Sequence, residues 1–362
     1  MNRLELGVFL PIGNNGYLIS KNAPQYKPTF ALNSAICKLA EDLQFNYVFS
    51  MSKWRGFGGR TEFWDHTLES VTLMTAIAAV TKRISIIATM SPMLLHPVVA
   101  AKVAATADEV SQGRFGINVV TGASLAEYEQ MGIVPNGYRE RRYAYAQEWI
   151  RIVKRLWTGE RVTADGDFFH LVDCVCSPRP VQPLGPFIVC AGTSPDGFRF
   201  TAEEADYSFL AGVNLEETKS KSRTMKRMAA EIGRTIKTAT HLMLIIGETD
   251  EAAQRQYSNY TAGADTEAIE NLIETYTKER RASASARIER TRDSVCFAGQ
   301  VVVGGPETIA ARLCDLAVEG ELDSILLVFP NYLRDLRVFH EQVRPLLEMR
   351  GVSSVAVSAD AS

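Results

Sequence analysis

The chain has 362 residues, of which 46% are hydrophobic and 22% charged. This is ordinary globular usage, which excludes a disordered polymer and supplies enough apolar material for a large core. A formal charge of -3 leaves no basic footprint, so neither nucleic acid nor an anionic membrane is an expected partner and a small-molecule ligand is the default.

The N-terminal run MNRLELGVFLPIG is interrupted by Glu5 and ended by Pro11, too short and too strand-like for a signal peptide or a membrane span. A cytoplasmic location is therefore expected. Short runs rich in Val, Ile and Phe then recur along the chain, at Leu4–Leu10, Tyr47–Met51, Ile84–Met90, Phe115–Val120, Phe187–Ala191, Tyr207–Ala211, Leu242–Ile246 and Ser324–Phe329. Helical periodicity predicts helices over 29–44, 68–80, 97–111, 138–158, 196–204, 215–232 and 334–349. Eight strands alternating with helices fit a closed parallel (β/α)8 TIM barrel better than an open sheet.

A single barrel domain over 1–350 follows, with two insertions. Residues 159–185 alternate as a small hairpin before the fifth barrel strand. The longer insertion, about 248–304 between the seventh and eighth strands, is polar and helical in period and ends at VVVGGPETIAARL. There Gly-Gly-Pro reads as a turn into a helix with Pro at its first position. A disordered tail is expected over 351–362. The six cysteines are scattered and read as reduced thiols; the closest pair, Cys174 and Cys176, has no second ligand pair nearby and reads as packing.

Ligands of such barrels sit at the C-terminal ends of the strands. That rule selects Pro11–Gly16, Ser50–Arg60, Thr89–Pro97, Asn118–Gln130 and Ala191–Gly197, and places an active site around Thr89 and Asn118. Asn14, Asn15 and Gly16 either bond a heterocycle or form an Asn-Gly turn. Trp54, Phe57, Phe63 and Trp64, set among Arg55, Arg60 and glycines, either form a lid over a flat ring or pack against their neighbours. Asn118, an amide inside a barrel end, needs a partner, whether ligand or protein. Arg142 beside Tyr143 makes a fork for a phosphate, and Thr193 and Ser194 in CAGTSPDG open a helix whose N-terminus favours an anion. Together they suggest a phosphorylated cofactor. There is no G-x-G-x-x-G after the first strand, no Walker A sequence, no H-E-x-x-H and no G-x-S-x-G, and the histidines are widely spread, so a cofactor is expected to carry the difficult chemistry.

The segments PIGNNGYLIS, APQYKPTF, RGFGGRTEFWDH with LESVTLM, GRFGINVVTG, EYEQMGI, RRY, GDFF, VCAG and YTAGAD resemble the luciferase-like, reduced-flavin-dependent monooxygenases, most closely their pyrimidine monooxygenase branch. The resemblance covers most of the chain. It implies a barrel that binds FMN, reduced at the expense of NAD(P)H by a separate flavin reductase, reacts with O2 through a flavin peroxide, and forms a homo-oligomer. In the pyrimidine enzymes that oxidant opens uracil between N3 and C4 to a ureidoacrylate. The resemblance further implies that Ser52 and Lys53 line the flavin with Asn118 and Glu127 beside it, and that Arg142, Tyr143 and Ser194 hold its phosphate. Thr89 and Asn118 would flank the oxygen pocket, with Met51 and Val120 as its apolar wall. Three departures cluster on the substrate side: Ala123 where the family has Trp, Phe49 at a position commonly smaller, and MSPMLLHP in place of a Thr-rich loop. Loss of the Trp wall implies a wider pocket and a substrate larger than uracil, such as the flavin cleaved by riboflavin-lyase relatives. A flavin-binding barrel without turnover and an F420-dependent dehydrogenase are the competing expectations.

Overall fold

Alternation in the first strand already sets the architecture. In β1 (Asn2–Phe9), Leu4, Leu6 and Val8 are completely buried on one face. On the other face Glu5 meets Tyr207 and Lys237, Gly7 lies under the ring of Tyr47, and Phe9 meets Phe209. A strand covered on both faces belongs in a parallel sheet wrapped by helices. The computed structural model describes residues 2–122, 124–192, 194–212, 214–281, 295–297 and 300–354.

After β1 come α1 (Phe30–Asp42), β2 (Tyr47–Phe49), α2 (Ser70–Val80), β3 (Ser85–Met90), α3 (Pro97–Ser111), β4 (Phe115–Val119), α4 (Ala126–Glu129) and α5 (Tyr138–Trp157). The hairpin β5 (Val162–Asp165) and β6 (His170–Cys174) precedes β7 (Phe187–Cys190), α6 (Pro195–Glu204), β8 (Tyr207–Leu210), α7 (Leu215–Glu231) and β9 (Lys237–Ile246). The chain continues with α8 (Asp250–Ala262), α9 (Thr266–Arg281), β10 (Val301–Gly304), α10 (Pro306–Val318), β11 (Ser324–Val328), α11 (Tyr332–Val338), α12 (Arg344–Met349) and β12 (Val352–Ser354). A π-helical turn, Phe339–Val343, joins α11 to α12.

Strands β1, β2, β3, β4, β7, β8, β9 and β11 pair in that order, all parallel, and β11 returns to β1. This is the closed eight-strand TIM barrel expected from the eight apolar runs. Close packing inside it depends on missing side chains. A Cβ on Gly7 would lie 2.3 Å from the Tyr47 ring, and one on Gly116 would lie 2.4 Å from the Phe187 ring, so each glycine makes room for one aromatic. Outside, α3 turns Ala100, Ala101, Ala104 and Ala105 inward, all fully buried, which lets that helix approach the sheet closely.

The expected hairpin is present as antiparallel β5–β6, and Pro306 opens α10 with Gly305 as its cap. Two boundaries differ. The seventh barrel strand begins at Lys237 rather than Leu242, because its first half pairs with β8 and β11 while its second half pairs with β10, a strand not anticipated from sequence. The disorder expected from 351 is not found at Val352–Ser354, which pair in parallel with Asn2–Leu4; 355–362 lie outside the described residues. No helix among the described residues is long and apolar enough to cross a membrane.

Candidate active site

Strands β2 and β8 are not neighbours, so the 5.5 Å contact between the Phe49 and Phe209 rings crosses the barrel interior. Phe9 lies edge-on to Phe49 at 5.3 Å, and His241 stacks on Phe209 at 5.2 Å with the planes 7° apart. These four rings make an aromatic wall formed by β1, β2, β8 and β9.

The wall faces a polar side on β3 and β4. Thr89 and Asn118 are register partners and both are buried. The Asn118 amide Nδ2 donates to Thr89 Oγ1 at 3.0 Å, and that hydroxyl donates to the carbonyl of Ser50 at 2.7 Å. The Thr89 backbone N–H donates to Ser70 Oγ at 2.8 Å, and Ser70 Oγ bonds Ser50 Oγ. Asn118 Oδ1 is buried with no partner among the described residues. A carbonyl oxygen without a donor in such a place costs roughly 1–3 kcal/mol, which marks the point where a ligand N–H or O–H is missing.

Behind this pair, Lys53 and Glu127 form a buried ion pair. Burial pushes the Lys53 ammonium below its usual value, and the Glu127 carboxylate offsets only part of that shift. The ammonium also sits 4.3 Å over the Phe57 ring. The second Glu127 oxygen accepts from the Trp54 backbone N–H at 2.8 Å. Glu127 thus fastens the loop after β2 to the helix after β4, and Ser52 and Met51 lie half-buried on that fastened segment. Val120 is half-buried and donates its N–H to the Met90 carbonyl at 3.1 Å.

The candidate anion site lies at the N-terminus of α6. Ser194 caps the helix by accepting from the Gly197 N–H at 3.2 Å, and its hydroxyl meets the Tyr143 hydroxyl at 3.4 Å. Arg142 lies 5.1 Å over the Tyr143 ring. Its neighbour Arg141 is paired with Asp167, whereas no carboxylate pairs with Arg142 among the described residues. A Cβ on Gly192 would lie 2.7 Å from Gly197, and one on Gly197 would lie 2.5 Å from the Tyr143 hydroxyl. The loop therefore approaches the helix end as closely as backbone allows, with Tyr143 linking Ser194 on one side and Arg142 on the other. Ser194, Tyr143 and Arg142 are brought together as expected from sequence; Thr193 and Ala123 lie outside the described residues.

The two loops left open by the sequence are resolved in favour of packing. Asn14 Nδ2 donates to the carbonyls of Thr61 and Glu62, Asn15 Nδ2 donates to Thr61, and Asn15 Oδ1 accepts from the Tyr26 N–H. Both amides tie the first loop to the second, so they are not left for a heterocycle. Asn15 and Gly16 have φ near +62° and +61°, the left-handed turn that this dipeptide favours. Phe63 and Trp64 are almost completely buried, Phe57 is nearly so, and all three pack on Phe297. This is a fixed cap rather than an open lid. It is clamped by Asp265, which accepts from the Thr61 N–H and hydroxyl, and by Asn271, which donates to the Phe57 carbonyl.

Sequence reasoning missed Ser70, Phe9, Phe209 and His241. His241 was excluded by starting its strand at Leu242; the alternation of Ala239, His241 and Met243 along β9 carries the signal. Ser70 has no local signal, because its contact to Thr89 depends on where α2 begins beside β3.

Comparison with known proteins agrees with the barrel fold. The family model for luciferase-like monooxygenase matches residues 4–323. The pyrimidine monooxygenase RutA of Cronobacter turicensis is 42% identical over 354 residues, 96% of this chain and 93% of the relative. That of Escherichia coli O157:H7 is also 42% identical, over 96% of this chain and 97% of its own. Among solved structures, riboflavin lyase (RcaE) superposes with a TM-score of 0.84 at 22% identity over 99% of this chain and 94% of that one. Long-chain alkane monooxygenase (LadA) superposes at 0.80 and 21% over 98% and 93%. At these identities the two structures speak to the fold. With a matching barrel, a family model spanning most of the sequence and relatives aligned nearly end to end, the chain belongs to the luciferase-like monooxygenase family.

Proposed function

We propose that this chain is an FMN-dependent monooxygenase that uses reduced FMN, supplied by a separate NAD(P)H-dependent reductase, and O2 to open a nitrogen heterocycle at an amide C–N bond, with the uracil ring as first substrate. The observation that carries the reading is the pairing of an unfilled acceptor, Asn118 Oδ1, with an anion cradle at α6, both at the same barrel mouth. Residues of this kind fit FMN: Arg142, Tyr143 and Ser194 would hold its phosphate, and Ser52, Lys53 and Asn118 would border its ring. Glu127 would act through Lys53 and Trp54, since both of its oxygens are engaged.

When bound, reduced FMN supplies the electrons that activate O2. The protein's own contribution is orientation and exclusion of water. Thr89 and Asn118 present polar atoms at the oxygen side, Met51 and Val120 border it with apolar surface, and the aromatic wall offers Phe49 and Phe209 to a flat ring. A guanidinium with no carboxylate partner among the described residues, beside a helix N-terminus, suits the terminal phosphate of FMN, which favours FMN over an F420-type cofactor.

The test is a product screen by mass spectrometry with reduced FMN and O2 over uracil, other pyrimidines, purines, barbiturates and flavins. A ring-opened ureidoacrylate from uracil is the expected result. Turnover of riboflavin in preference to uracil would move the substrate to the larger ring, consistent with Ala123 in place of a family Trp. Flavin binding without any product would leave a non-catalytic flavin barrel and overturn the proposal.

A further inference from the structure

The hydrogen bonds around Thr89 depart from a regular sheet in one place, and Ser70 is the cause. In a parallel ladder a residue donates to one residue of the neighbouring strand and accepts from the residue two positions further along it. Ser50 N–H donates to the Ile87 carbonyl at 3.0 Å, so the regular continuation has Thr89 N–H donating to the Ser50 carbonyl. Instead Thr89 N–H donates to Ser70 Oγ at 2.8 Å. The Ser50 carbonyl instead accepts from the Thr89 hydroxyl at 2.7 Å, with Ser70 Oγ a longer second donor at 3.4 Å. A hydroxyl has one hydrogen. With that hydrogen used, Thr89 Oγ1 meets Asn118 only as an acceptor, so the amide of Asn118 must present its nitrogen to Thr89 and its oxygen elsewhere. That oxygen is the buried, unpartnered Oδ1.

We propose that Ser70 is a positioning residue that sets the polarity of the Thr89–Asn118 pair, so that Asn118 offers an acceptor to an N–H donor at the barrel mouth. The inference rests on the monooxygenase reading only for the identity of the donor, which is either the imide N–H of a ring substrate or the ring N–H of reduced flavin. Ser50 and Ser70 are completely buried and belong to the supporting layer rather than to the surface a ligand touches. Without the Ser70 hydroxyl, Thr89 N–H returns to the Ser50 carbonyl. The Thr89 hydroxyl then turns toward Asn118, and the amide reverses. Every backbone group keeps a partner in that rearrangement, so Ser70→Ala is expected to fold.

The polarity is read directly on the ligand-free protein, labelled with 15N-asparagine, by exchange of the Asn118 side-chain amide protons; Asn118→Ala identifies the signal. In the wild type one of these protons exchanges at least tenfold more slowly than those of exposed asparagines, and Ser70→Ala and Thr89→Val abolish that protection while Thr89→Ser keeps it. Unchanged protection in Ser70→Ala overturns the proposal whatever reaction the enzyme performs.

The donor is then assigned by two arms. If it is the substrate, wild type prefers uracil over 3-methyluracil by at least tenfold in kcat/KM, and Ser70→Ala reduces that preference to within about twofold. If it is the flavin, Ser70→Ala weakens reduced FMN relative to oxidised FMN by about tenfold in anaerobic titration. If neither change is seen, the claim that the unpartnered oxygen serves a ligand is overturned. Absence of any turnover by the wild type, with protection intact, would instead count against the monooxygenase reading alone.

Discussion

The two ends of the barrel interior are built from similar side chains and finished differently. At the N-terminal end Glu5, Tyr207 and Lys237 form a closed triangle, with Glu5 to Lys237 at 2.6 Å, Glu5 to Tyr207 at 2.9 Å and Lys237 to Tyr207 at 3.0 Å. Tyr47 and Ser324 bond each other beside it at 2.6 Å. At the C-terminal end Asn118 keeps an oxygen without a donor, and Arg142 has no carboxylate among the described residues. A polar group whose needs are met inside the protein contributes to the fold. One left unmet inside the protein costs stability and is retained where a ligand completes it. The asymmetry matches the rule that barrel floors serve stability and barrel mouths serve ligands.

The Lys53–Glu127 pair is a buried charged element of the mouth that is completed like the floor, so it gives the sharpest way to break the comparison. Lys53→Met strands a buried carboxylate and should cost about 3 kcal/mol, seen as a lower midpoint in urea unfolding; adding Glu127→Gln should recover much of it. A loss below 1 kcal/mol would mean that the pair is hydrated and that the mouth has no structural anchor there. Next in size, Asn118→Ala should lower kcat by about 10²-fold while leaving the unfolding midpoint unchanged or raised, because it removes an unsatisfied group. A fall in stability without a fall in rate would place Asn118 with the floor.

Arg142→Ala should raise the Kd for FMN by about tenfold, the loss expected for one charge-assisted hydrogen bond, with a much smaller effect on riboflavin, which has no phosphate. Equal weakening of both would remove the phosphate from the α6 cradle. The smallest effect belongs to the floor. Glu5→Gln should cost under about 1 kcal/mol, since Lys237 is half exposed and screened by solvent, and should leave kcat/KM unchanged in steady-state assays. A change in kcat/KM without a change in stability would show that the ends are coupled.

In the cap, local composition does not separate ligand binding from packing. Asn14, Asn15, Phe57, Phe63 and Trp64 have the composition of a ligand-binding loop, and each is used in packing or in tying loops together. The difference lies in partners 204 residues away or more, Asp265, Asn271 and Phe297, which only the folded barrel brings to the loop. Arg141 and Arg142 present the same ambiguity side by side: only the position of Asp167 on the hairpin separates a paired arginine from an unpaired one.

The eight-strand barrel, its strand ends and the residues gathered there were legible in the amino-acid order, because strand and helix periodicities are local and the mouth of a parallel barrel follows from strand direction. Thr89 with Asn118, and Ser194 with Tyr143 and Arg142, follow from that geometry and from the family resemblance. Tertiary structure alone decided which polar atoms remain unfilled. Hydrogen bonds compete for a limited number of donors, and the placement of Ser70 beside β3, invisible in its own segment, determines which face Asn118 turns toward a ligand.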